Sequence, residues 1–298
     1  MYVVVNNVSF VSFKKGVSMG TEMKLYDRND FLALTEGSDV AEAMAENMDS
    51  SGFSERDLVQ VKTPSGGGVH WTIKGATGQE STPYIEGVIV YRCLKGVLWK
   101  KDEVGEEKPV LVSDDMKYGV LVSDWNDVPE DMQEVLEKHE VPLETVRLDP
   151  RYANVPEESV PRMFYWDGPN KLPYCEFGSS LKPKSKGKRA KDYQILYVLR
   201  ANEGMPLRIQ VGPTSIAPVR KFFNQMSDVP HYRAVVKLGL KEDKNVNGVL
   251  YSMINPERIG VLGKEAGEII KKNYKDVIKA AHEQGRLNLV SADGSAEE

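Results

Sequence analysis

The run 86–100, EGVIVYRCLKGVLWK, constrains this chain more than any other stretch. It is dense in β-branched and aromatic residues, as strands are, and Gly96 breaks it, so it reads as paired strands or as one bent strand. Further strand-like runs follow at 110–113, 118–123, 162–166, 193–200 and 207–211, and shorter ones precede it at 3–5, 8–13, 58–61 and 69–73. Residues 232–240 and 248–254 flank Asn245, Val246 and Asn247 in the pattern of a hairpin. Helical spacing is confined to 39–48, 128–140, 214–226 and 262–284. The last of these carries Leu262, Ala266, Ile269, Ile270, Tyr274, Val277, Ile278 and Ala281 on one stripe. Strand runs outnumber helices and cluster together, which points to an α+β class: a small antiparallel β-barrel core, peripheral helices and a long C-terminal helix.

Charge is distributed unevenly over the 298 residues. The formal net charge is −5, yet residues 101–161 carry 6 basic and 17 acidic side chains, while 162–286 carry 23 basic and 12 acidic. A basic portion beside an acidic segment can bind a polyanion while the whole chain stays anionic. We therefore expect a single domain over 1–286, with an acidic helical insertion at about 124–161 and a basic loop at 182–191. An acidic disordered tail is expected at 287–298. No apolar run reaches 20 residues and no basic n-region precedes the apolar residues near Met1, so neither a membrane span nor a signal peptide is expected. Cys93 and Cys175 are too few for a disulfide framework or a four-cysteine zinc site, and a cytoplasmic setting is the default expectation.

Residues 182–191, KPKSKGKRAK, place Lys182, Lys184, Lys186, Lys188, Arg189 and Lys191 within ten positions without one acid. Such a run repels itself unless counterions or phosphates neutralise it. Phe164, Tyr165, Trp166, Tyr174 and Phe177 precede it, and Tyr193 and Tyr197 follow. Cations that track a backbone, interleaved with rings that stack bases, suit an unpaired nucleic acid, each stacked base being worth roughly 1–3 kcal/mol. Alternation sends Tyr165 to one face of its strand and its neighbours to the other. A phenol tolerates water better than a phenyl ring, so Tyr165, Tyr174 and Tyr193 are the stacking candidates.

The patterns of catalysis are missing. Residues 64–68, PSGGG, lack the lysine and hydroxyl of a phosphate-cradling loop. His70, His139, His231 and His282 stand at no metal-ligand spacing, and neither cysteine has a base beside it in sequence. A nuclease-like set could be drawn from Glu106, Lys108, Asp114 and Asp115, but Glu106 falls in a turn of Gly and charged residues. The expectation is a non-enzymatic binder of single-stranded DNA with no cofactor and no metal. An adaptor of replication or recombination, acting through protein contacts of 101–161 or of the acidic tail, is the alternative.

Five segments together carry a family resemblance: 57–73 (DLVQVKTPSGGGVHWTI), 86–99, 205–223 (MPLRIQVGPTSIAPVRKFF), 235–254 and the helix after Gly260. They resemble a family of conserved proteins encoded by tailed phages and mobile elements beside replication and recombination genes. The resemblance implies a single-strand-binding protein with an oligonucleotide-binding (OB) type barrel, working in phage DNA replication or recombination in the host cytoplasm. Members of that family commonly carry a cysteine cluster, suggestive of zinc, between the strands at 162–166 and 193–200. This chain keeps only Cys175 there, so metal binding is not carried over.

Overall fold

The computed structural model describes residues 24–26, 58–64, 66–75, 78–101, 107–180, 187–201, 203–245, 248–276 and 278–279. The elements expected at 3–5, 8–13 and 39–48, and the tail 287–298, lie outside the described residues.

In chain order the strands are β1 (Lys24–Tyr26), β2 (Gln60–Lys62), β3 (Trp71–Gly75), β4 (Gly78–Thr82), β5 (Tyr84–Lys101) and β6 (Glu107–Ser113). They continue as β7 (Tyr118–Leu121), β8 (Met163–Tyr165), β9 (Lys191–Leu199), β10 (Leu207–Val211), β11 (Ala234–Lys244) and β12 (Leu250–Leu262). The α-helices are α1 (Glu130–Glu137), α2 (Leu143–Val146), α3 (Pro213–Gln225) and α4 (Lys264–Ile270).

The run 86–100 lies within one continuous strand of 18 residues, β5. One edge of it pairs with β9, from Val88↔Leu199 to Val97↔Lys191. The other edge is divided: β11 takes Tyr84 to Val88, and β6 takes Gly96 to Lys101. Register shifts between Ile89 and Tyr91 and between Leu98 and Trp99 bend the strand where its partners change. Gly96 is not a break. An ideal Cβ there would stand 2.3 Å from the Trp166 ring, so the glycine exists to let the indole lie on the strand.

Dividing one edge between two partners branches the sheet instead of closing it. The first branch runs β5-β11-β12-β1, with β9, β10 and β2 across the other edge, and the second runs β5-β6-β7-β8. Two pairings, β1 with β12 and β2 with β10, are parallel. The result is an open, mixed ten-stranded sheet with a separate β3-β4 hairpin, not the expected antiparallel OB-like barrel.

β9 shows how the first branch is packed. Ile195, Tyr197 and Leu199 face one cluster, under α4, while Leu196 and Val198 face another under α3 and the hairpin. Trp71 of the hairpin is fully buried and its indole N–H donates to the Leu238 carbonyl at 2.8 Å. Pro213 opens α3 in the first turn, where its missing N–H costs nothing.

The expected long C-terminal helix is also corrected. Leu262 closes β12, α4 spans seven residues, and Lys271–Lys275 continues as a π-helix. The cause lies in the spacing of the buried stripe: Ala266, Ile270, Tyr274 and Ile278 recur every four residues. An α-helix turns every 3.6 residues and would rotate them off the sheet, whereas a stretch of wider π turn keeps them on it.

Candidate nucleic-acid interface

β8 and the segment after it build the ground around the lysine-rich run. Met163 and Tyr165 point to one face of β8, and Phe164 and Trp166 to the other. A 3-10 turn at Pro173–Cys175 then tucks Leu172, Tyr174 and Cys175 into the cluster beneath Trp166. Burial pushes the Cys175 thiol up to about 12, so it stays protonated and inert.

Beyond that turn the chain forms a neck. The N–H groups of Gly178 and Ser180 both donate to the Gly187 carbonyl, at 3.0 and 3.1 Å. The Ser179 hydroxyl lies 2.7 and 3.0 Å from the Glu176 and Tyr174 carbonyls and accepts from the Arg189 N–H at 2.9 Å. Gly178 takes φ +91°, a backbone state that side chains resist, and so allows the reversal. Residues 181–186, with Lys182, Lys184 and Lys186, lie outside the described residues; the chain leaves and re-enters at this neck.

The three described cations of the run have local duties. Lys188 pairs with Asp192 at 2.8 Å and stands 5.1 Å from the centre of the Phe177 ring. Arg189 covers the Tyr174 ring at 4.6 Å, and its buried Nε has no hydrogen-bond partner among the described residues. Lys191 donates to the Lys188 carbonyl.

The stacking candidates are dispersed. Tyr174 is 8% exposed beneath Arg189, and its phenol is pushed up by burial, so it offers no free face. Tyr165 is half-buried against Tyr118 at 6.0 Å, in the cluster of Val141, Val146 and Met163. Tyr193 is half-buried on the cluster beneath α4, and burial raises its phenol as well. The three rings thus belong to three packing clusters and do not line one surface.

The ring that does face solvent at the neck is Phe177, 83% exposed. The preference for phenols passed over it. Its signal in the sequence was position: it directly precedes the Gly178-Ser179-Ser180 entry to the loop, outside any strand alternation.

The two aspartates of the nuclease-like set have structural partners. Asp114 lies 3.4 Å from the Lys95 ammonium, and Asp115 accepts the N–H groups of Lys117 and Tyr118 to close the β6-β7 turn. Glu106 lies outside the described residues. Among the described residues, no three His, Cys, Asp or Glu side chains converge as metal ligands, and no helix is long and apolar enough to cross a membrane. Comparison with protein families, curated sequences and solved structures found no match, so the family resemblance stands on the sequence segments alone.

Proposed function

We propose that the protein binds single-stranded DNA without catalysing a reaction on it, through Lys182, Lys184 and Lys186 and the exposed ring of Phe177. The observation that carries this reading is the neck. A run of cations without an intervening acid starts and ends at one hydrogen-bonded point, and a solvent-facing aromatic ring sits beside that point. Lys188, Arg189 and Lys191 hold the neck and add positive potential there; Phe177 takes the stacking role first given to the tyrosines.

A fluorescent oligo-dT titrated at increasing salt tests it, with duplex of equal length beside it. The logarithm of affinity falls with the logarithm of salt by about 0.7 per phosphate neutralised on a single strand. Removing three cations in K182S/K184S/K186S therefore reduces the slope by about 2. Phe177→Ala leaves the slope in place and weakens binding by about 1–3 kcal/mol at fixed salt. Equal slopes for wild type and the triple variant would remove the loop from the interface, and equal affinity for duplex would remove the single-strand preference.

A further inference from the structure

The inner face of the β3-β4 hairpin changes character along its length. Trp71 and Ile73 of β3 fill that face with buried side chains, in the cluster under α3. Toward the tip the filling stops. Residues paired across two strands share a face, and Gly75 pairs with Gly78 two positions beyond the pair of Ile73 and Glu80, where the next side chains would enter. A Cβ built on Gly78 would meet nothing within 4 Å, and one on Gly75 only the Gly78 carbonyl at 3.9 Å. The two glycines leave a hollow of about 540 Å³, a size that small ligands occupy.

Much of its lining is apolar: Val59, just before β2, and Met205, Pro206 and Leu207, which lead into β10, join Ile73 there. One wall is charged. Arg200, just after β9, donates through Nη1 to Glu80 of β4 at 2.8 Å and through Nη2 to Glu203 in the turn that follows. Among the described residues these three are the charged side chains that line the hollow, so two carboxylates share one guanidinium and one negative charge is left over. Each carboxylate keeps an oxygen, Glu80 Oε1 and Glu203 Oε2, that accepts no hydrogen bond from a described residue. Both carboxylates touch the same guanidinium, which keeps them within reach of one small cation. The Glu80 side chain is 49% exposed, so solvent reaches this wall.

We propose that the hollow is a binding site for an alkylammonium ion, a primary amine on an unbranched methylene chain. The stem lies on Val59, Pro206 and Leu207, as lysine stems lie on apolar surface. The ammonium sits at the free oxygens of Glu80 and Glu203, where it forms charge-assisted hydrogen bonds. The surplus negative charge repels an anion, and an uncharged guest would cover that charge without answering it. A free diamine and a lysine side chain carried on a polypeptide both have this chemistry. The site is separate from the lysine-rich run and stands whether or not that run binds DNA.

The test titrates n-pentylamine into the full chain at constant ionic strength, with n-pentanol as the uncharged control, and follows the Met205 methyl signal by NMR. Saturable binding of the amine in the millimolar range is expected, with the alcohol roughly tenfold weaker or more. Glu80→Gln and Glu203→Gln, which can still accept from Arg200, each weaken the amine by roughly tenfold. Gly75→Val abolishes binding without altering any charge, because its side chain enters the hollow; Gly75 lies outside the left-handed region and accepts it without backbone strain. Cadaverine and Nα-acetyl-lysine methylamide, compared in the same assay, separate the two sources: the tighter of them identifies whether the amine is free or carried on a polypeptide. The proposal is overturned if pentylamine binds no better than pentanol, or if both glutamine variants bind it like wild type. A loss confined to Gly75→Val therefore also overturns it, since the carboxylates would then play no part.

Discussion

The two ends of β5 show two ways of stabilising the same sheet. At its start, Val88 and Ile89 press aliphatic side chains onto opposite faces, and ion pairs such as Arg200 with Glu80 and Arg258 with Asp228 keep to the rim. At its end, charge is drawn inward. Lys95 and Lys100 are 4% and 8% exposed, the first facing Asp114 and the second donating to the Asp127 carbonyl at 2.6 Å. Arg162 grips Glu140 through two nitrogens and lies 3.6 Å from the centre of the Trp125 ring. The acidic excess of 101–161 is therefore answered partly from inside the fold, by Lys95 on β5, and partly at the surface, by Arg162 just before β8. A charge count along the chain reads that segment as a solvated surface, because it cannot see that Lys95 and Arg162 lie opposite those acids.

The largest expected effect that breaks this comparison falls where the two ends meet. Gly96→Ala places a methyl group against an indole already confined by Gly119, whose own Cβ would come within 2.8 Å of the same ring. With neighbours on both sides, Trp166 has little room to move, and we expect a loss of about 3 kcal/mol, the upper range for overpacking. Urea denaturation measures it. A loss below about 1 kcal/mol would mean that the packing at the far end of β5 yields easily and contributes less to the sheet than its geometry implies.

Gly96 also marks how much the sequence could disclose. The strands at 193–200 and 207–211, the hairpin around Asn245 and the helices near 128–140 and 214–226 were legible, because each is a local pattern of period two or 3.6. Whether a glycine inside a strand ends it or admits a ring from 70 residues away is not a local matter, so the run could be read only as paired strands or one bent strand, and it is the second, with Gly96 inside it. Barrel closure failed, since nothing in the run 86–100 says that its two halves take different partners on one edge. At the candidate interface, alternation separated Tyr165 from Phe164 and Trp166, but periodicity does not report which face another element covers. Arg189 over Tyr174 and the bare ring of Phe177 are outcomes of tertiary packing.

The second contrast concerns acid. His231, at the apolar end, is held at about 4 by burial first and by Lys275 and Arg92 second. The unfolded chain takes up that proton near pH 6.5. The folded state resists it, so stability is full above about pH 6.5 and falls progressively as pH drops toward 4, by about 2 kcal/mol after allowing for partial exposure. Asp149, at the charged end, is depressed chiefly by its hydrogen bonds from Arg151. Its contribution is present above the unfolded value of about 3.9 and is lost only as pH falls below that. The two ends therefore fail in separate windows. Denaturant midpoints from pH 7.5 to 4.5 should fall for wild type and stay nearly level for His231→Gln. A parallel fall in both would place the acid sensitivity outside the apolar end.

The smallest effect sharpens the comparison most, because it asks whether the charged end is built from interior or surface interactions. The Arg162 and Glu140 side chains are 32% and 34% exposed, so water screens the pair, and such bridges contribute up to about 1 kcal/mol. The guanidinium above Trp125 adds about 0.5–1 kcal/mol where solvent still reaches it. Arg162→Ala should therefore cost about 1 kcal/mol, since the two contributions share one side chain and do not simply add. High salt should remove part of the wild-type advantage and leave the stacking part. Arg162→Lys isolates the geometry: it keeps the charge, loses the two-pronged grip on Glu140 and the flat contact with Trp125, and should recover less than half of the loss. A cost near 3–5 kcal/mol for Arg162→Ala would instead mark a pair that behaves as buried. In that case the interior of the charged end would extend outward past Lys95 and Lys100 to the surface of α1.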